Sequence, residues 1–226
     1  MSQEASERKL TIAIDGPSGA GKGTVARAIA SALGYRHVDS GAMYRAVGWK
    51  ALRAGLAFDA EAAIARLADQ SRIDVTGTRV SIDDVDVTRE IRTPGIDRAA
   101  AAVARLPGVR AVLVARQRQL GVGGGIVMEG RDIGTVVFPR ADVKLYLDAS
   151  ADERARRRAA DPAHSGGPAA VADVATLLSE RDRLDSTRAT SPLQAAEDAV
   201  LIDTTAKSVS QVVEEALGLI RSRVGT

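Results

Sequence analysis

The 226-residue chain has no cysteine and no asparagine, and only one Trp, two Phe, three Tyr and two His. Without cysteine there is no disulfide scaffold, no thiolate nucleophile and no cysteine zinc site. Any metal must rest on oxygen ligands or on a His. So few aromatic rings supply no platform for stacking exposed bases. No run approaches the roughly 18 apolar residues of a membrane helix. The opening MSQEASERK is polar and partly acidic, unlike the basic-then-apolar order of a secretory signal. The expectation is a soluble, cytoplasmic monomer with no membrane partner.

What is present suits one substantial core: 45% hydrophobic residues, 27% charged and a formal charge of +2. The length suggests a single domain, residues 1–226, carrying insertions. Basic residues outnumber acidic ones only slightly, and they form no blocks. The richest arginine stretch, residues 151–190, holds seven Arg against seven acids and is locally neutral. A nucleic-acid polymer is therefore disfavoured as a partner. Arginine makes up 26 of the 31 basic residues, which a general composition bias explains for most of them. Only arginines inside a motif are read as functional.

Along the chain, LTIAI (10–14) is an apolar, partly β-branched run ending at Asp15 and Gly16, the pattern of a buried strand. A helical pattern over Thr24 to Leu33 stops at Gly34. His37 to Asp39 reads as a short strand and Gly41 to Ala54 as a helix, with Asp59 capping another. Ile73 to Val87 switches to period two with turn residues, a small antiparallel insertion. Helices are expected over Pro107 to Leu120, Ala151 to Ala160, Val171 to Leu184 and Val209 to Ile220, and strands at Ile126 to Glu129, Val143 to Leu147 and Val200 to Ile202. Strands separated by long helices imply parallel pairing, hence a three-layer α/β/α sandwich with ligands at the carboxyl edge of the sheet.

Gly16-Pro17-Ser18-Gly19-Ala20-Gly21-Lys22-Gly23-Thr24 lies between the first strand and the first helix, the context that makes a P-loop credible. Glycines let backbone N–H groups turn around a phosphate, the helix N-terminus adds its positive end, and Lys22 reaches the outer phosphate oxygens. The usual pattern places Ser or Thr directly after the lysine. Here Gly23 intervenes and the hydroxyl is Thr24, so no metal ligand is assigned. The total lack of asparagine excludes the Asn-Lys-x-Asp guanine reader of most GTPases.

Asp39, Ser40 and Arg45 stand at a strand end and helix start, where the first two read equally as a helix cap. Arg131 and Asp132 follow another strand end, with a surface ion pair as the plain alternative. Arg181, Asp185 and Arg188 are spaced by four and three, on one helical face, which a solvated salt-bridge ladder explains as well.

GPSGAGKGT, DSGAMYR, EIRTPGI, PGVRAVLVARQR, GRDIGTVVFP and ERDRLDSTR occur in an order resembling the bacterial cytidylate kinases, from Leu10 to Ile220. The resemblance implies a nucleoside monophosphate kinase fold that phosphorylates CMP and dCMP from ATP, with Mg2+ held largely by nucleotide phosphates and water. It implies a monophosphate-binding insertion near 63–105 and a lid near 153–170. By position, Arg45, Arg131 and Arg188 resemble clamps on the acceptor phosphate, and Arg181 shares that duty or stabilises the transferring group. Planar guanidinium forks suit phosphate. Arg110 and Asp132 resemble the cytosine readers, Asp185 the sugar contact, and Arg157 or Arg158 lid contacts to ATP. Ala101 stands where many members have Ser, which implies weaker discrimination against UMP.

The acceptor phosphate, with a second pKa of about 6, is already mostly ionised at neutral pH and needs no base. His37 and His164 are accordingly read as structural or solvated. Two other readings stay open: a P-loop kinase of a small alcohol, for which Asp39 is the evident base, and a non-catalytic nucleotide sensor.

Overall fold

The chain is described from a computed structural model over residues 8–161, 171–188 and 190–224. The opening strand β1 (Thr11–Asp15) leads through the glycine loop into α1 (Lys22–Leu33), followed by β2 (Arg36–Asp39) and α2 (Ser40–Arg53). Next come α3 (Glu61–Gln70), the short strands β3 (Ile73–Thr76), β4 (Arg79–Ile82) and β5 (Val85–Asp86), α4 (Pro94–Val103) and α5 (Pro107–Leu120). The chain continues with β6 (Ile126–Glu129), a π-helical turn (Ile133–Val137), β7 (Val143–Asp148), α6 (Ala151–Ala159), α7 (Val171–Ser186), β8 (Val200–Asp203) and α8 (Val209–Val224).

Five strands form one parallel sheet in the order β2-β6-β1-β7-β8. Period-two alternation sends successive side chains of β1 to opposite faces. Ile12 and Ile14 pack with Val25, Ile29, Val212 and Ile220 of α1 and α8. Ala13 packs on the other face with Val38, Met128, Val114 of α5 and Ile133. The result is the expected three-layer sandwich. The antiparallel sheet β3-β4-β5 is also present, and its Val75, Val80 and Ile82 share one apolar cluster with Met43 and Val47 of α2 and Leu113 of α5. That shared core fixes α4, which follows the small sheet, against α2 beside the carboxyl edge of the main sheet.

Three elements differ from the sequence reading. α3 begins at Glu61 with Ala60 at its N-cap, so Asp59 does not cap it. Glu61 instead turns back so that its Oε1 accepts the Gly108 N–H at 2.7 Å, joining α3 to α5. α4 was not expected, although Thr93 Oγ1 accepts the Ile96 N–H and Pro94 occupies the first turn. The π-helical turn was also not expected. The lid region is described only up to Asp161, as α6. The remainder of that expectation, residues 162–170 with His164, lies outside the described residues.

Candidate active site

The glycine loop sits at the end of the central strand, where the chain must turn sharply under β7 and α6. Gly16 has φ +144°, and a Cβ there would stand 1.9 Å from the Leu147 carbonyl oxygen. Gly19, at φ +83°, has Arg154 Cβ 2.9 Å from the same point. Neither position admits a side chain. Lys22 is buried, and its Nζ donates to the Pro17 carbonyl at 2.7 Å. Burial, then Arg131, brings its pKa down to about 7, against the opposing pull of Glu129 and Asp15.

A cleft of about 830 Å³ runs from this loop across the carboxyl edge of the sheet. Of the residues singled out in the sequence, all but Gly16 and Pro17 line it, and so does Ala101. Thr24 is exposed on the first turn of α1.

Away from the loop the cleft is built of guanidinium–carboxylate pairs. Asp39 Oδ1 caps α2 by accepting the Ala42 N–H at 3.0 Å, while Oδ2 faces Arg45 Nη1 at 3.4 Å. Burial pushes the Asp39 carboxyl up, but Arg45 and the Ala42 N–H outweigh it and hold the group below the usual carboxylate range. Ser40 does not cap the helix: its Oγ donates to the Glu129 carbonyl at 2.7 Å, locking the start of α2 to the end of β6. Arg131 and Asp132 do not pair with each other. Arg131 Nε donates to Asp185 Oδ2 at 2.9 Å, whereas Asp132 pairs with the buried Arg110. Adjacent residues thus serve opposite walls of the cleft.

Arg188 lies beyond the end of α7, so it does not share a helical face with Arg181 and Asp185. It still reaches the cluster, with Nε donating to the Asp185 carbonyl at 3.3 Å and Nη2 at 3.6 Å from Asp185 Oδ1. Arg181 is buried deeply enough that its guanidinium pKa falls to about 10, with Arg131 adding to the effect of burial. Tyr44 Oη, Arg110 Nε, Arg181 Nε and Arg188 Nη2 are buried without a hydrogen-bond partner among the described residues. Such unpaired donors are costly unless a ligand satisfies them.

The two lid arginines part company. Arg157 grips the β8–α8 loop, with Nη1 on Thr204 Oγ1 at 3.0 Å and Nη2 on the Thr204 carbonyl at 2.6 Å, beside the glycine loop. Arg158 turns the other way and pairs with Asp97.

Several cleft residues escaped the sequence reading. Asp15 accepts the Ile133 and Gly134 N–H groups at 2.8 and 2.7 Å and is raised by burial to about 6. Glu129 lies against Gly23, its Oε1 2.9 Å from where a Cβ would be and 3.2 Å from Nε2 of the buried His37. Arg154 pairs with Asp182 and donates to the Ser18 carbonyl at 3.3 Å, buttressing the loop from the lid side. Their signals were faint: Asp15 and Glu129 are simply the acids that end β1 and β6.

Across one cleft the glycine loop faces a chamber of convergent arginines, on a fold of the P-loop kinase class. The family model described as cytidylate kinase matches residues 12–222. The cytidylate kinase of Solibacter usitatus (strain Ellin6076) is 45% identical over 223 residues, covering 98% of this chain and 96% of its own. That of Geobacillus kaustophilus (strain HTA426) is 46% identical over 223 residues, covering 97% and 100%. A solved gluconokinase from Sinorhizobium meliloti 1021 superposes with a TM-score of 0.51 at 16% identity, covering 95% of this chain and 93% of its own, a likeness of fold alone. The chain belongs to the cytidylate kinase family.

Proposed function

We propose that the chain transfers the γ-phosphoryl group of ATP to CMP and dCMP, giving ADP with CDP or dCDP. The observation that carries this reading is the buried Arg110–Asp132 pair in the acceptor chamber, a donor and an acceptor that a base edge can part and satisfy. Cytosine presents its exocyclic amine to the Asp132 carboxylate and its ring acceptors to Arg110. Uracil presents a carbonyl where cytosine has the amine, leaving acceptor against acceptor. The Tyr44 ring lies 5.8 Å from the Arg110 guanidinium, closing this pocket from one side. Membership of a family whose named relatives are cytidylate kinases supports the same choice.

Arg45, Arg131, Arg181 and Arg188 hold the acceptor phosphate, Asp185 meets the sugar, and Asp39 and Ser40 form the floor at the start of α2. On the donor side Ser18, Gly19, Ala20, Gly21, Lys22, Gly23 and Thr24 cradle the ATP phosphates, with Gly16 and Pro17 forming the turn behind them and Arg157 above. Catalysis is then positioning and charge neutralisation for an in-line transfer. Lys22 leaves the Pro17 carbonyl for the β and γ oxygens, while Arg131 and Arg181 meet the charge spreading over the transferring group. No base is required of the protein, because the acceptor phosphate is already mostly ionised at neutral pH. A small-alcohol kinase would need a base for its hydroxyl acceptor, with Asp39 as the candidate, and ADP release with shikimate tests that reading. A sensor would have no use for a second arginine-lined chamber.

Magnesium would be held chiefly by phosphate oxygens, with the Thr24 hydroxyl and Glu129 carboxylate as the neighbouring oxygen donors, and would neutralise phosphate charge. The test is ADP release from magnesium-ATP with CMP, dCMP, UMP, AMP, GMP or shikimate, beside an acceptor-free control. Fast release with CMP and dCMP is expected. Silence with every nucleoside monophosphate would overturn the acceptor assignment.

A further inference from the structure

Asp97 belongs to none of the motif roles above, yet three arginines from three elements converge on its carboxylate. Arg45 Nε of α2 donates to Oδ1 at 3.1 Å, Arg181 Nη1 of α7 lies 3.6 Å from the same oxygen, and Arg158 of α6 pairs with Oδ2. Asp97 is 15% exposed and the arginines 15% to 20%, so solvent screens this cluster only partly. Two of the three are acceptor-phosphate residues in the reading above, and the third comes from the lid. A carboxylate projecting from α4 therefore sits where guanidinium groups of both walls meet, a position suited to a phosphate oxygen.

Electrostatics accounts for a carboxylate at this point. Arg45, Arg131, Arg158 and Arg181 are largely buried and repel one another, and that repulsion helps to lower the pKa of Arg181. Asp39 offsets it at Arg45 and Asp185 at Arg131, and Asp97 is the anion that Arg45, Arg158 and Arg181 share. An arriving phosphate, carrying a charge of about −1.5 to −2 near neutral pH, makes a stronger partner than a carboxylate of −1. The two compete for one set of forks. Asp97 also lies in the first turn of α4, where an acid favours the helix, but that role does not need arginines from three other elements.

We propose that Asp97 is an internal phosphate mimic: it occupies the junction of the acceptor and lid arginines in the free enzyme and is displaced by substrate phosphate. It is a positioning residue, since it acts through Arg45, Arg158 and Arg181. Two consequences follow for the reaction proposed above, on which this inference rests. Each substrate phosphate must overcome the carboxylate, which raises the acceptor KM. With no acceptor bound, Arg181 and Arg158 stay engaged away from the ATP phosphates, which suppresses wasteful hydrolysis.

The test uses the full chain with Asp97→Asn, which keeps the shape and removes the charge, and Asp97→Glu, which keeps the charge. Steady-state KM and kcat for CMP, acceptor-free ATP hydrolysis and calorimetric affinity for inorganic pyrophosphate are measured on each and on the wild type. For Asp97→Asn the KM for CMP falls about 5-fold or more, the lower end of ordinary coupling between sites. Its kcat does not fall, acceptor-free hydrolysis rises, and pyrophosphate binds more tightly. Asp97→Glu stays nearer the wild type in all four. A KM and a pyrophosphate affinity unchanged or weakened in Asp97→Asn would overturn the proposal, because a purely structural or substrate-binding Asp97 predicts that result. A wild type inert toward CMP would instead defeat the acceptor reading, and the pyrophosphate titration would still decide the role of Asp97.

Discussion

Lys22 is the residue on which the donor side turns, and its environment makes a signed prediction. Burial and Arg131 bring its pKa from 10.5 to about 7, so the free enzyme loses this positive charge as pH rises through 7. ATP phosphates favour the charged form and draw the pKa back up. ATP binding at pH 8 should therefore take up a proton, read as the slope of calorimetric enthalpy against buffer ionisation enthalpy. A slope of zero would contradict the role given to Lys22. The loop that holds Lys22 was legible because its groups are consecutive and their spacing has a mechanism. Asp97 was not, because its partners lie 52 residues away at Arg45 and 61 at Arg158, and only the folded chain joins them. Arg131 and Asp132 mislead in the opposite way: neighbours in sequence, they part toward Asp185 and Arg110.

Among the elements, α4 carries one wall of the acceptor chamber and depends on its cap. Thr93→Ala removes the side-chain acceptor for the Ile96 N–H and should cost about 1 kcal/mol. Thermal unfolding should then shift down by about 2–4 °C, and an unchanged melting temperature would show that packing on α2 alone sets the helix start. Thr93-Pro94 ahead of an apolar-periodic stretch is a start signal for α4 that the sequence itself carries. The π-helical turn had no such signal. It exists because Asp15 accepts two successive N–H groups, which draws the chain into wide bonds such as Phe138 N–H to the Ile133 carbonyl at 2.6 Å. Strand ends repeat this device: Asp39 caps α2, and Asp203 accepts the Thr205 N–H at 2.8 Å. The loop between β1 and α1 tolerates no side chain at its first glycine. Gly16→Ala brings a methyl into the Leu147 carbonyl, so a loss of soluble, folded protein or of ATP binding is expected. Wild-type ATP affinity and stability in this variant would contradict that packing.

For the whole molecule, the sandwich and its strand order follow from alternating apolar strands and long helices, so the architecture was largely readable in advance. The anchoring of α6 beside the cleft was not, since it depends on Arg154 to Asp182, Arg157 to Thr204 and Arg158 to Asp97 joining α6 to three separate parts of the chain. Ligands that add to these ties should stabilise the entire fold. ATP at about 100 times its Kd contributes about 2.7 kcal/mol, a rise of several degrees in melting temperature that Lys22→Ala should largely abolish. An equal rise in that variant would place ATP elsewhere. The most direct measurement is kcat/KM for CMP against UMP in the wild type and in Asp132→Ala. The wild type should prefer CMP, by a margin that Ala101 narrows, and the variant should lose most of that preference, chiefly through CMP. A wild type that uses UMP as well as CMP, or an Asp132→Ala variant that keeps full selectivity, would contradict the assignment of Arg110 and Asp132 as the base-reading pair.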